Sequence, residues 1–401
     1  MKDGVVSKSS GDYGAAVRCR GVTAALVGAG LALLAGTDAI AQETNISAPR
    51  APQCSQSVNG LNFVCGVVNP EDIVLVPGTR WLIASGYDPG GGLPAGAGIA
   101  LVDTQAKRST VLYNAGQNQI GADKLRFPSC VQAPPANFVT HGLYLRATAQ
   151  PRHFLLYAVT HAPRETVEVF SLDASGDIPK SAWLGCQSLP DGLKGNGVAA
   201  FSDGTMLVTV LNAPPYAAAE GSARGIVLQW KPGNSGFQPV AGTDLSSDNG
   251  IEISKDEKEI FVIGFGDATV YVFSREKPGA PLRSAKAPGF VPDNLRWSAD
   301  QLIATGPMYD EPACGGTRRE AAQMLGAVGR KPGGGCNRGY MVAALDPIKM
   351  TWKVLAYAEP NPQIGIISAG VIVGDTLWIG AALSPGLAYR TLPRPTIQQS
   401  P

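Results

Sequence analysis

The chain has 401 residues, with 33 lysines and arginines against 32 aspartates and glutamates and a formal net charge of +1 at pH 7. This balance lacks the basic footprint that nucleic-acid binding requires, so we expect no nucleic-acid partner. The length suits one large domain or two ordinary ones, and a low charged content with abundant glycine and proline favours short strands joined by turns.

Residues 1–41 have the pattern of a secretion signal. Basic residues as far as Arg20 precede an apolar stretch from Val22 to about Gly36. That stretch has about 15 residues, fewer than a membrane span needs, and Ala39-Ile40-Ala41 has the form of a cleavage site. We therefore expect a mature chain from Gln42, periplasmic or secreted, without a transmembrane segment after cleavage. An uncleaved anchor is the alternative.

Cysteine content predicts disulfide bonds. Cys19 precedes the apolar stretch and would be removed with the signal, which leaves an even number of cysteines in an exported chain. No pair has the spacing of a zinc site. Many connectivities are open to six cysteines; joining sequence neighbours predicts the bridges Cys54–Cys65, Cys130–Cys186 and Cys314–Cys336.

One unit recurs along the mature chain, in which a polar residue opens an apolar strand and a turn leads into a second one. "NGVAAFSDGTMLVTVL" from Asn196 and "NGIEISKDEKEIFVIGF" from Asn249 are examples. Several units continue into third and fourth strand candidates, at roughly 45 to 75 residues per unit. The pattern predicts an all-β, six-bladed β-propeller of four-stranded blades over residues 42–401, with the segment around "LNFVCGVV" available to close the ring. The six units open at Glu71, His141, Asn196, Asn249, Asp293-Asn294 and Ser368.

Propeller geometry brings these opening residues together, because the first strand of each blade lines the central channel. A single Asn-Gly pair is more often a hairpin turn. Repetition at the same phase of successive units instead favours an oxygen-rich metal site, and Asp248 is interpreted as a turn residue. Carboxylate and amide oxygens suit Ca²⁺. The predicted calcium ligands are Glu71, Asn196, Asn249, Asp293 and Asn294.

Two of the three histidines are candidates for proton transfer. His141 opens a unit, and His161 ends the following strand in "YAVTHAP", which places both near the predicted metal. His153 lies at the turn between these strands and is interpreted as a surface residue at the outer or opposite end. A purely structural role for the pair is the alternative.

Several stretches resemble a known family: "NPEDIVLVPGTRWLIASG", "FVTHGLYL" with "YAVTHAPRETVEVFSL", "GNGVAAF", "DNGIEIS" with "ATVYVFSR", and "VPDNLRW". Over roughly Cys65 to Leu387 the chain is similar to the paraoxonase and arylesterase family of calcium-dependent lactonases. That family belongs to a wider six-bladed superfamily with gluconolactonases and strictosidine-synthase-like proteins. The resemblance implies one catalytic calcium on the five ligands named above and a catalytic pair formed by His141 and His161.

The chain departs from that family at three places. A second, structural calcium of the family uses two aspartates; Asp72 matches one, but Gly197 stands where the other is expected. No C-terminal cysteine is available for the disulfide that joins the termini of the animal enzymes. Residues from about 310 to 338 form an insertion in the fifth blade, which we interpret as a disulfide-tied loop near the mouth, either a lid or a decoration.

These features predict an exported calcium-dependent hydrolase of lactones or aryl esters, in which the metal polarises the carbonyl and the histidine pair activates water. The mechanism needs no covalent nucleophile, consistent with the lack of GxSxG and HExxH motifs. Tyr87 and Tyr216 are candidate pocket walls for a small hydrophobic lactone, ester or aromatic substrate. An isomerase or lyase using the same calcium, and a calcium-stabilised binding propeller without catalysis, are the alternatives.

Overall fold

The structure is a computed structural model that describes residue 54 and residues 57–88, 98–115, 123–130, 132–216, 224–309 and 338–392. The signal predicted over residues 1–41, the pair Cys314–Cys336 and residues 310–337 of the insertion lie outside these residues. In the ranges described, no helix is both long and apolar enough to cross a membrane.

Strands make up nearly all of the regular structure. The first twelve are β1 (Asn62–Val64), β2 (Ile73–Leu75), β3 (Trp81–Ser85), β4 (Ile99–Asp103), β5 (Arg108–Val111), β6 (Val139–Ala147), β7 (His153–Ala162), β8 (Thr166–Asp173), β9 (Lys180–Ser188), β10 (Val198–Ala200), β11 (Met206–Val210) and β12 (Ile226–Trp230). The others are β13 (Gln238–Pro239), β14 (Asp248–Ile253), β15 (Glu259–Gly264), β16 (Thr269–Ser274), β17 (Arg283–Lys286), β18 (Asn294–Ser298), β19 (Gln301–Pro307), β20 (Tyr340–Asp346), β21 (Thr351–Ala358), β22 (Gly365–Val373), β23 (Thr376–Leu383) and β24 (Leu387–Thr391). Two 3₁₀ helices, Pro214–Tyr216 and Phe265–Asp267, complete the described elements.

These strands form six antiparallel sheets of four strands each, which confirms the predicted six-bladed β-propeller. Five blades use four consecutive strands, β2–β5, β6–β9, β10–β13, β14–β17 and β18–β21. The sixth combines β22, β23 and β24 with β1, where Asn62 pairs with Tyr389 and Val64 with Leu387. The segment around "LNFVCGVV" therefore closes the ring, as the sequence indicated.

The first strand of each blade lies next to the first strands of the neighbouring blades around the channel. Apolar side chains pack between adjacent blades; for example, Ile73 and Leu82 of the first blade share a buried cluster with Ala369 and Trp378 of the sixth. Burial of these faces from water drives blade-to-blade packing and closes the ring. All six first strands consequently present their starting ends at one mouth.

Two of the three predicted disulfides lie in described residues, and both are confirmed. Cys54–Cys65 brackets β1, and Cys130–Cys186 ties the connection between β5 and β6 to β9.

Candidate functional site

The predicted metal ligands lie together at the channel mouth, although they are far apart in the chain. Asn294 Nδ2 donates to Glu71 Oε1 at 3.1 Å across 223 positions, and the Asn249 side chain hydrogen-bonds the Asp293 carboxylate. Asn196 approaches the group through His141, with 3.5 Å between its Nδ2 and the imidazole Nε2. Each of these side chains is almost completely buried.

The glycines that follow two opening residues, His141 and Asn249, lie where strands pack together and not in hairpin turns. A Cβ on Gly142 would lie 2.2 Å from the Asn196 carbonyl oxygen, and one on Gly250 would lie 2.3 Å from that of Asp293. Both glycines instead donate their N–H to those carbonyls, at 3.1 Å and 2.9 Å. Glycine is required here because adjacent first strands approach each other backbone to backbone. This packing holds the side chains of neighbouring blades at the mouth.

The two candidate histidines are in direct contact. His161 ends β7, which returns antiparallel to β6, and its Nε2 lies 2.8 Å from His141 Nδ1. His161 Nδ1 lies 3.0 Å from the Glu165 carboxylate oxygens. A carboxylate accepts only from a protonated nitrogen, so His161 Nδ1 carries the hydrogen and its Nε2 accepts from His141 Nδ1–H. In this neutral tautomer His141 Nε2 is the acceptor nitrogen, and Asn196 Nδ2 donates to it over a long contact of 3.5 Å.

This acceptor nitrogen faces the oxygen cluster. His141 Nε2 lies 3.4 Å from Glu71 Oε2. Burial lowers the pKa of His161, while the hydrogen bond to Glu165 opposes this. The chain from Glu165 through both imidazoles is therefore arranged to deliver one basic nitrogen to the mouth.

Tyr87 covers the outer side of this pair. Its ring stacks on His141 at 4.3 Å between ring centroids and meets His161 edge-on at 5.9 Å. Tyr87 follows β3, the second strand of the first blade, which also returns to the mouth. Burial raises the pKa of Tyr87, so its hydroxyl stays protonated. The side chain of Tyr216 is outside the described part of the structure, and its predicted role stays a prediction.

Three buried oxygens of the cluster have no hydrogen-bond donor among the described residues: Glu71 Oε2, Asn249 Oδ1 and Asp293 Oδ1. Leaving one buried polar atom unpaired costs about 1–3 kcal/mol, and more for a charged atom. Their occurrence in one cluster is the observation that fits a cation, since a single positive ion satisfies all of them.

Two carboxylates, Glu71 and Asp293, lie together in the cluster. Burial raises the pKa of Asp293 well above its ordinary value, and repulsion from Glu71 adds to this. Burial would also raise the pKa of Glu71, but His141 when its imidazole is protonated, together with the hydrogen bond from Asn294 and the charge of Arg296, outweighs it and lowers the pKa. A divalent cation would stabilise both carboxylates in their ionised form.

The ligand atoms that the cluster offers favour some metal ions over others. Within the described ranges no three His, Cys, Asp or Glu side chains form a metal-binding cluster. The oxygen cluster has only two carboxylates, and its other members are amides. Calcium accepts carboxylate and amide oxygens in flexible geometry, whereas zinc prefers imidazole and thiolate. The residues present therefore fit calcium.

Asp248 and the opening residue Ser368 differ from their predicted roles. Asp248 is not an exposed turn residue: it begins β14, is fully buried, and its Oδ1 accepts from Leu245 N–H at 3.2 Å. Ser368 lies inside β22, and its hydroxyl donates to the Glu71 carbonyl, so it positions Glu71 instead of facing the mouth. His153 starts β7 at the end opposite to His161, with its Nε2 3.4 Å from Asp173, and is partly exposed as predicted.

Glu165 and Arg296 are the notable residues that the sequence reasoning missed. Glu165 follows His161 by four positions, and this spacing after a strand end was the available signal. Arg296 follows Asn294 by two positions on the same strand, so both side chains face the channel.

No protein-family model matches the chain, and no curated protein is significantly similar to it. Among solved structures, a gluconolactonase from Xanthomonas campestris is 18% identical, with 83% of this chain and 89% of that one covered and a TM-score of 0.47. A luciferin-regenerating enzyme is 11% identical, with 83% and 95% covered and a TM-score of 0.46. A calcium-binding protein, regucalcin, from Agrobacterium tumefaciens is 12% identical, with 83% and 93% covered and a TM-score of 0.45. These likenesses are distant, so the propeller assignment rests on the six sheets and the site on its own geometry.

Proposed function

We propose that the chain is an exported, calcium-dependent hydrolase of small hydrophobic lactones or aryl esters, with its active site at the channel mouth. One juxtaposition carries the proposal. Three unpaired buried oxygens lie in the same cluster as a Glu–His–His chain, whose terminal nitrogen is 3.4 Å from Glu71 Oε2. A cation and a general base placed side by side are what water attack on a carbonyl requires.

The metal would be held by Glu71, Asn196, Asn249, Asp293 and Asn294. When bound, calcium supplies Lewis-acid polarisation of the substrate carbonyl and stabilises the negative charge that develops on its oxygen. Glu71 and Asp293 offset the two charges of the ion, while the amides contribute neutral oxygens. Burial of the cluster in the ring strengthens each of these interactions by excluding water.

His141 is the proposed general base. Its Nε2 lone pair accepts a proton from the attacking water, and its Nδ1–H can pass to His161 Nε2 at 2.8 Å. The positive charge then resides next to Glu165, which stabilises it. General base catalysis of this kind contributes about 10²- to 10⁴-fold, and a proton relay spreads the charge away from the cation.

Tyr87 provides an apolar wall and limits the rotation of His141. The stacked ring, at 4.3 Å, fixes the imidazole plane with its Nε2 towards the cluster. An aromatic face beside the reacting centre favours substrates with a hydrophobic ring or acyl chain. This contact is the basis for preferring hydrophobic lactones and aryl esters over strongly polar ones.

The test is hydrolysis of a panel of lactones and aryl esters by the mature chain from Gln42, with calcium, with chelator, and with calcium restored. Asn249→Ala removes an unpaired oxygen of the cluster, and His141→Gln removes the base. His153→Gln is the matched control, because His153 also lies beside a carboxylate but at the other end of β7. We expect activity to disappear with chelator, to return with calcium, to fall at least 100-fold in the first two variants, and to be unchanged in the control.

Other outcomes separate the alternatives. Calcium-dependent conversion of a cyclic substrate without incorporation of ¹⁸O from labelled water would replace hydrolysis by isomerase or lyase chemistry. A rise in melting temperature with calcium, but no turnover on the panel, would refute the hydrolase and favour a calcium-stabilised binding propeller.

A further inference from the structure

An arginine side chain lies inside the channel, beside the oxygen cluster. Arg296 extends from β18, and its side chain is only 11% exposed. Its guanidinium donates to the carbonyl oxygens of Ile73 at 3.2 Å, Leu295 at 2.6 Å and Leu143 at 2.9 Å. These carbonyls belong to the first strands of three different blades, β2, β18 and β6. Arg296 therefore links blades around the channel axis.

The same guanidinium neutralises a buried carboxylate. Arg296 Nη2 forms an ion pair with Asp72 Oδ2. Asp72 Oδ2 also accepts from Leu143 N–H at 2.7 Å, and its Oδ1 accepts from Ile73 N–H at 2.8 Å. Both oxygens of Asp72 thus accept from protein donors, and Oδ2 accepts from two of them.

A second buried carboxylate lies within the electrostatic reach of Arg296. Glu252, on β14, is 4% exposed, and its Oε1 accepts from Ile253 N–H at 2.9 Å. Asp72 and Arg296 are both close enough to influence its charge. The channel therefore holds two buried carboxylates and one guanidinium, and buried charges in proteins are either paired with one another or bound to a metal ion.

The residues present do not fit the second, structural calcium of the family that the chain resembles. Asp72 Oδ2, the oxygen paired with Arg296, is occupied by the guanidinium and by Leu143 N–H, and Gly197 offers no side chain. A larger residue at position 197 would be crowded, because a Cβ there would lie 3.1 Å from both Asn249 O and Thr209 Oγ1.

We infer that the Arg296 guanidinium takes the place of that second cation, so that the channel carries its own positive charge and binds no divalent ion. This inference rests on the proposed function, because it makes the mouth cluster the single calcium site of the chain. The channel charge can nevertheless be tested whether or not the mouth hydrolyses anything. A covalently attached cation cannot be removed by chelators, so the ring should remain folded without calcium.

The first experiment counts calcium ions bound to the mature chain by native mass spectrometry and calorimetric titration after metal removal. Wild type should bind one ion, which is lost in Asn249→Ala and retained in Asp72→Asn. Arg296→Ser, which leaves two carboxylates and a guanidinium-sized space, should bind one ion more than wild type. Arg283→Ser is the matched control: Arg283 forms a bidentate ion pair with Glu259 outside the channel, and its removal should add no ion.

The second experiment measures melting temperature with chelator and with calcium. With chelator, Arg296→Ser should melt at a much lower temperature than wild type. Calcium should raise its melting temperature by more than it raises that of wild type. If that variant does not fold, Arg296→Ser combined with Asp72→Asn should recover a folded ring, because the unpaired carboxylate is removed as well.

Two results would overturn the inference. One is a second calcium in wild type that is lost in Asp72→Asn, which would show a metal in the channel despite Arg296. The other is an Arg296→Ser variant that gains neither calcium nor calcium-dependent stability and is not rescued by Asp72→Asn. Failure of the proposed function would look different. Wild type would then show no turnover, or Asn249→Ala would bind as many calcium ions as wild type.

Discussion

Replacing Glu252 by glutamine should stabilise the propeller at alkaline pH and have little effect at acidic pH. Glu252 is buried on β14 beside the channel, and burial raises its pKa from 4.5 to about 7, against the opposing attraction of Arg296. Because the folded-state pKa lies above the unfolded one, the folded chain holds this proton more tightly. Stability is therefore greatest below the unfolded pKa and is lost as the pH rises through about 7.

The magnitude follows from the two pKa values. Between pH 5 and pH 8 ionisation of Glu252 should remove about 2–3 kcal/mol from the free energy of unfolding of the wild type. Glutamine does not ionise, and its amide oxygen can keep the hydrogen bond from Ile253 N–H. With an unfolding entropy of about 2 cal/mol/K per residue, this corresponds to about 3–4 °C in Tm for a domain of this size.

The assay is thermal unfolding of wild type and Glu252→Gln at pH 5 and pH 8, with saturating calcium throughout. The exposed residue Glu276 provides the control, Glu276→Gln. The Tm of Glu252→Gln relative to wild type should be about 3–4 °C higher at pH 8 than at pH 5. The reasoning would be refuted if the Tm difference between Glu252→Gln and wild type were the same at both pH values. It would also be refuted if that difference were smaller at pH 8 than at pH 5.

Glu165→Gln should lower kcat about 10- to 100-fold without weakening calcium binding. It should also move the acid limb of the pH–rate profile to lower pH, because Glu165 raises the pKa of its histidine partner; an unchanged profile would argue against the relay. Gly142→Ala, whose Cβ would lie 2.2 Å from the Asn196 carbonyl, should lose about 1–3 kcal/mol of stability and weaken calcium binding, whereas Gly236→Ala, with open space around it, should do neither. Removing the Cys130–Cys186 disulfide by a double serine substitution should cost about 4 kcal/mol in denaturant unfolding, because the bridge closes a 56-residue separation; a loss under 1 kcal/mol would contradict this.

The fold was predictable because its signal is repeated. Each unit places an apolar strand after a polar opening residue, and six repetitions outweigh the ambiguity of any single stretch. Ring closure was also visible, because the last unit is shorter than the others and "LNFVCGVV" supplies a spare strand near the start. Strand pairing then follows from the order of the chain, apart from β1 and β24.

The repetition also predicted which site residues lie together. It did not predict the residues that pair with them, Glu165 and Arg296. Glu71 and Asn249 open blades, so their phase in the repeat predicts where they lie. Glu165 lies in a loop beyond His161, and no phase rule identifies it; only the antiparallel return of β7 brings it to the mouth. Arg296 in "NLRW" has the pattern of an ordinary alternating strand, and the pairing with Asp72 appears only when the ring closes.

Asp248 shows the limit of turn signals. "SSDNG" has the composition of a hairpin loop, yet the register shift between Asp248 and Ile251 draws both Asp248 and Asn249 into β14. Local propensity is overridden there by the close approach of neighbouring first strands, which Gly250 permits.

Whether the mouth cluster holds a catalytic calcium can be decided by locating the ion in a crystal structure. Crystals of the mature chain grown with calcium should show one anomalous peak about 2.4 Å from Glu71 Oε2, Asn249 Oδ1 and Asp293 Oδ1. In Asn249→Ala we expect this peak to be abolished together with activity. A mouth without a peak in crystals that bind calcium elsewhere, or activity that survives without the ion, would contradict these expectations.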